Sequence, residues 1–191
     1  MKPKCKENIA EDQTVERLFA ACEDLLDKVI LILMVFGGMR VGEVAHCRQD
    51  WWNGTTIRVP KNRECDCFDC IRDPKHPGIW QPKTAEAVRM IPFEPVLRKP
   101  ISLYFKANQA IDINRVSIWR RLKGMARRAG IPDNIFPHAL RATYITRLLE
   151  KRVPDWVVRQ LAGHKNVATT SEYAKLSEKL IHDELSKAWN K

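Results

Sequence analysis

Residues 137–173 read PHALRATYITRLLEKRVPDWVVRQLAGHKNVATTSEY, and the order of charged and apolar positions in this stretch decides the reading of the chain. Pro137 suits the first position of a helix, and Ala139, Leu140, Ala142 and Ile145 make that helix apolar around Arg141. A guanidinium set among apolar residues needs a partner. Pro154 opens a second helix, which breaks at Gly163-His164, and Tyr173 follows nine residues later. Upstream, Gly38-Met39-Arg40-Val41-Gly42-Glu43 places another arginine at a Gly-Gly break, and Pro82-Lys83-Thr84 supplies a lysine. Arg40, Lys83, His138, Arg141, His164 and Tyr173 form one chemical set. Arginine forks bind phosphate oxygens bidentately, and a tyrosine oxygen is a covalent nucleophile. With an ordinary pKa of about 10, only about one phenol in a thousand is ionised at neutral pH, so the nucleophile needs cations beside it. Glu43 is placed to hold Arg40.

Outward from these boxes the pattern is mostly helical. Thr14 caps a first helix through Cys22, and Asp24 to Phe36 reads as a buried helix ended by Gly37-Gly38. Val41 to Arg48 is a short helix. Asp50 to Pro60 is predicted to be a hairpin turning at Asn53-Gly54. Residues 61–79 lack periodicity and read as an insertion, and strand character returns from Trp80 to Phe93, around Lys83. Beyond Pro100 the pattern predicts a short helix at Ser102 to Lys106, then Ile113 to Ala129, and further helices starting near Pro137, Pro154, Asn166 and Ser177. The fold class is therefore α+β, mostly helical with a small antiparallel sheet. Residues 1–13 read as a linker stub and residues 14–191 as one domain.

The 191 residues carry a formal net charge of +10, which favours a polyanionic partner, nucleic acid before membrane. From Ile113 to Pro132 there is no acidic residue, and Arg120, Arg121 and Lys123 are candidates for contact with a DNA backbone. No apolar run is long enough to span a bilayer and no export signal is evident, so a cytoplasmic location is expected. No glycine-rich phosphate cradle is present, so no nucleotide is implied.

The boxes His138-Ala-Leu-Arg141, Leu161-Ala-Gly-His164 and Tyr173, with Arg40 upstream, resemble the catalytic domain of the tyrosine recombinase, or phage integrase, family. The resemblance runs from about Thr14 to the C-terminus. It implies a site-specific recombinase that cuts double-stranded DNA through a 3′-phosphotyrosine and a free 5′-hydroxyl. It further implies rejoining through a Holliday junction in a homotetramer on paired sites, with no metal or other cofactor needed for catalysis. His138 would accept a proton or bind phosphate, and His164 would donate to a non-bridging oxygen. Lys83, with Lys75 as its competitor, would protonate the leaving 5′-oxygen, a contribution of about 10²–10⁴-fold. Glu43 corresponds to the acid that the family has at this position. Such proteins belong to mobile elements, viruses and plasmids. The family usually has an N-terminal core-binding domain, and this chain shows none. Its last segment, residues 176–191, is amphipathic, and it either folds back in cis or docks in trans on a neighbouring protomer. Type IB topoisomerases share the chemistry and are the nearest rival reading.

Three of the six cysteines, Cys65, Cys67 and Cys70, crowd into the insertion with His76 nearby. Without an export signal this reads as thiols or a structural zinc site, not a disulfide framework. It also supports another rival, a non-catalytic zinc-containing DNA-binding module. His46 and His182 fall in none of the boxes.

Overall fold

The apolar stretch after Asp24 forms the centre of the core. The Asp24 carboxylate accepts the backbone N–H of Asp27 at 2.7 Å and starts helix α2, Leu25–Leu31, with Val29, Ile30 and Leu31 wholly buried. The computed structural model describes residues 10–131 and 135–163. His164, Tyr173, segment 176–191 and the expected helices near Asn166 and Ser177 lie outside the described residues. The single helix expected to Phe36 instead widens over Ile32–Phe36 into a π turn, in which Gly37 N–H reaches back to the Ile32 carbonyl at 3.1 Å. Close packing dictates the two glycines at the break. A β-carbon on Gly37 would lie 2.7 Å from the Leu33 carbonyl, and one on Gly38, at φ 57°, would lie 2.2 Å from the Tyr144 ring.

Helix α1, Asp12–Ala20, precedes this centre, and α3, Val41–Ala45, comes after it. Strand β1, Thr56–Val59, pairs antiparallel with β4, Arg89–Pro92, setting Ile57 opposite Ile91 and Val59 opposite Arg89. Between them β2, Arg63–Glu64, pairs with β3, Ile79–Trp80, and encloses the short helix α4, Phe68–Ile71. The hairpin predicted across Asn53-Gly54 shrinks to one bridge, Trp52 with Ile57. The Asn53 side chain accepts the N–H groups of Thr55 and Thr56, at 3.0 and 2.8 Å, and holds a turn. Gln49–Trp51 coils as a 3₁₀ turn because Trp51 is drawn into the core against Trp80, ring centres 5.0 Å apart. The chain before Asn53 therefore does not extend beside β1, and β4 takes that edge.

The remaining helices are α5, Pro95–Ala107, α6, Arg115–Arg128, α7, Pro137–Glu150, and α8, Asp155–Ala162. Helix α5 begins well before the expected Ser102, because Pro95 takes its first turn and Ile101, Tyr104 and Phe105 give it a buried face. Helices α5 and α6 pack on α2, α7 packs on the π turn, and α8 lies against α7 and β4. Helix α6 inserts Ile118, Leu122 and Met125 into the core. It is also fastened to α2 by charge: Arg121 meets the buried Asp27 at 2.7 Å and Asp24 at 2.9 Å, and Arg128 reaches Asp27 at 3.4 Å. No helix among the described residues is long and apolar enough to cross a membrane.

Candidate active site and an adjoining Cys-His cluster

Arg40 stands at the N-cap of α3 and Glu43 one turn in. The Glu43 carboxylate accepts the Arg40 backbone N–H at 2.9 Å and the Arg40 Nη1 at 2.9 Å. Its other partner is Arg89 on β4, whose Nη1 and Nη2 meet Oε1 and Oε2 at 3.0 and 2.8 Å. Burial alone would raise the Glu43 carboxyl. The hydrogen bonds and charge of Arg89, with Arg40 and Arg141 behind it, outweigh that effect and hold it below its ordinary value. Glu43 is thus a fixed carboxylate that orients guanidiniums. Its grip on Arg40 is as expected from sequence.

Arg89 was not legible as a site residue. Val88 and Met90 are both exposed, and alternation along the strand points Arg89 and Ile91 inward. The available signal was the phase of Ile91, which puts Arg89 on the buried side.

Arg141 donates Nη1 to the Gly38 carbonyl and Nη2 to the Ala162 carbonyl. Arg40 donates Nη2 to the next carbonyl, Gly163, at 2.8 Å, and Arg89 Nε donates to Leu161 at 2.7 Å. Three arginines from α3, β4 and α7 therefore grip three successive carbonyls at the end of α8. This end carries the residue before His164. Gly163 caps α8 in the left-handed region, at φ 63°. A β-carbon there would come within 2.9 Å of the Glu86 carbonyl.

His138 lies on the first turn of α7. Desolvation first, then the charges of Arg141, Arg40 and Lys83, hold its imidazole below the ordinary value of 6.5. Its neutral form, a proton acceptor, is favoured. Four of the six expected catalytic residues thus share one electrostatic neighbourhood. Lys83 reaches it from an exposed bend rather than from a strand, because the chain turns after β3 and coils as a 3₁₀ turn at Ala85–Ala87 before β4. Tyr144 is buried against Gly38 with its phenol pushed up to about 12 by burial, and Tyr104 donates to the Ala110 carbonyl at 3.2 Å; both are structural. Of the expected DNA contacts, Arg120 is exposed and Lys123 lies 5.5 Å from the centre of the Trp119 ring. Arg121 is instead committed to Asp24 and Asp27.

The insertion gathers Cys65, Cys67 and Cys70, but with His46 in place of His76. The four ligand atoms lie within 4.8 Å of one another, a group that could hold a metal ion. His46 Nε2 is 3.4 Å from Cys67 Sγ and 3.4 Å from Cys70 Sγ. His76 is excluded by the turn it sits on. Cys65 N–H donates to Gly78 at 2.8 Å and Gly78 N–H to Cys70 at 2.9 Å, which leaves His76 exposed outside the ring of thiols.

Comparison with known proteins agrees with this architecture. Residues 98–179 match the phage integrase family model. Tyrosine recombinase XerA of Pyrococcus horikoshii is 25% identical over 195 residues, 95% of this chain and 61% of that protein. Tyrosine recombinase XerD of Lacticaseibacillus casei is 28% identical over 153 residues, 80% of this chain and 51% of that protein. The chain thus spans between about half and two thirds of the length of these relatives. The crystal structure of XerA recombinase superposes with a TM-score of 0.73 at 19% identity, covering 94% of this chain and 62% of that one. The Tn1549 transposon integrase in complex with circular intermediate DNA gives 0.72 at 17% identity, covering 98% of this chain and 68% of that one. With its arginine boxes joined at the end of α8 and its family-model match spanning His138 to Tyr173, the chain is similar to the tyrosine recombinase, or phage integrase, family.

Proposed function

We propose that this chain is the strand-cutting domain of a site-specific DNA recombinase. The observation that carries the reading is the convergence of Arg40 and Arg141, a hundred residues apart in sequence, on adjacent carbonyls, with His138 in the same cationic neighbourhood. Two guanidiniums at one point suit the non-bridging oxygens of a single phosphodiester. In this mechanism the Tyr173 oxygen attacks phosphorus, its proton passes to a base at His138, and the phosphorus–O5′ bond breaks. Lys83 donates the proton that the departing 5′-oxygen needs. The phosphotyrosine keeps the bond energy, so a 5′-hydroxyl can reverse the step without a nucleotide or a catalytic metal. His164 donates to a non-bridging oxygen.

The relatives named as recombinases and the DNA-bound integrase of the same fold support double-stranded DNA as the partner. Within the same reading, the protein acts in the cytoplasm as a tetramer on paired sites, the tail at residues 176–191 links protomers, and the insertion carries a structural zinc. The decisive experiment uses a nicked duplex whose cut strand loses its end by diffusion. The wild-type protein should accumulate a covalent adduct and Tyr173→Phe none, with DNA binding retained. An adduct formed by Tyr173→Phe would refute the assignment of the nucleophile.

A further inference from the structure

The Cys-rich insertion draws one donor from outside itself, and that donor is the last turn of the helix that begins at Arg40. His46 closes α3. Its Nδ1 lies 2.7 Å from the Gly42 carbonyl, which can only accept, so Nδ1 carries the proton and Nε2 keeps its lone pair. That lone pair faces the thiols. In a tetrahedral site with zinc–sulfur bonds of about 2.3 Å and zinc–nitrogen bonds of about 2.0 Å, the nitrogen–sulfur edge is about 3.5 Å. The two observed edges are 3.4 Å. Three thiols and one imidazole suit a soft or borderline ion and disfavour magnesium and calcium. Four protein donors leave no open position, as in a structural site.

We propose that a zinc ion bound by His46, Cys65, Cys67 and Cys70 clasps the insertion to α3 and so positions Arg40 and Lys83. The consequence for cutting rests on the recombinase reading; the metal site does not. Along the chain the clasp lies between the two residues. Arg40, Glu43 and His46 occupy one short helical segment, so a displacement of His46 is transmitted to the Arg40 cap. On the other side, Trp80 stacks on His46 with ring centres 5.4 Å apart and planes at 23°, and Lys83 comes three residues later. Segment 61–79 has little apolar material: Cys70 is its one buried residue, whereas Phe68 and Ile71 are 67% and 56% exposed. Zinc would supply the cohesion that a core does not.

Elemental analysis of the intact protein, purified without chelator, should find about one zinc per chain. His46→Ala and Cys67→Ser should each lower zinc content about fivefold or more, and His76→Ala should leave it unchanged. Zinc kept by His46→Ala, or lost by His76→Ala, overturns this ligand set. For positioning, chelator-stripped wild type should cut a nicked duplex about tenfold or more slowly while its affinity for uncut duplex changes by less than about threefold. Restoring zinc should restore the rate, which keeps the test independent of whether His46→Ala folds. A substrate with sulfur at the bridging 5′ position needs no proton from Lys83 and should recover part of the loss. Unchanged cutting after zinc removal overturns the positioning role. Should the wild-type protein cut nothing, amide exchange decides: stripping zinc should speed exchange across residues 41–46, and unchanged exchange overturns the clasp.

Discussion

Glu43 and Arg89, forty-six residues apart, face each other through two hydrogen bonds of 3.0 and 2.8 Å, and both side chains are almost wholly buried. Each makes the other tolerable in the interior. Removing one member leaves an uncompensated buried charge, at a cost of about 3–5 kcal/mol. Glu43→Gln and Arg89→Met should each lower unfolding free energy by that order in denaturant titrations, and the double substitution should cost less than their sum. Additive losses would show that the two do not act as a pair. The pH dependence has a definite sign. The Glu43 carboxyl is held below its ordinary value of 4.5 in the folded state. Its contribution is complete above that value and disappears as pH falls through the folded one. Stability should decline below about pH 4.5, and Glu43→Gln should flatten the decline.

His138 should titrate below 6.5 in the free protein, followed by NMR of its ring protons. Arg141→Gln and Arg40→Gln should each move the midpoint upward, because each removes a cation that opposes protonation. A midpoint above 6.5 in the wild type would contradict the cationic surroundings described for this side chain.

Lys83→Ala should slow cutting of ordinary DNA by about 10²–10⁴-fold, the range for loss of a general acid. A bridging 5′-phosphorothiolate should restore most of that rate. Absence of rescue, with rescue instead for Lys75→Ala, would move the acid to Lys75.

The basic face of α6 divides into two kinds of residue. Arg120→Ala with Lys123→Ala should flatten the slope of log affinity against log salt by up to about two units. Arg121→Ala should chiefly lower the unfolding midpoint, because it strips a partner from the buried Asp27. A slope that responds only to Arg121 would place DNA on the other side of the helix.

Arg40 and Arg141 were legible because each breaks an apolar pattern, and a charge so placed must be answered by the fold. Arg89 was hidden because its neighbours Val88 and Met90 mimic the inward phase of a strand; only the pairing of β1 with β4 settles which face is buried. His46 was hidden for a different reason. Ligand spacing along the chain points to His76, four residues before Trp80, whereas the fourth donor is brought in from α3 by tertiary packing, which local spacing does not encode. The helices read well where apolar periodicity is strong, as in α6, expected over Ile113 to Ala129 and found over Arg115–Arg128. The hairpin failed where Trp51 found a better place in the core than beside β1.

The end of α8 is fixed by a shim of zero thickness. Gly163 offers no functional group, yet the gap it leaves lets the helix end rest on residues 86–87, within 3.0 Å of the Ala87 Cα for any added carbon. An extra methyl would have to push main chain away from main chain. The displacement would reach the carbonyl that Arg40 holds and the turn leading to His164. The alignment of the reacting groups therefore depends on a dimension, and a chemically silent substitution at this one position should misalign groups that it never touches.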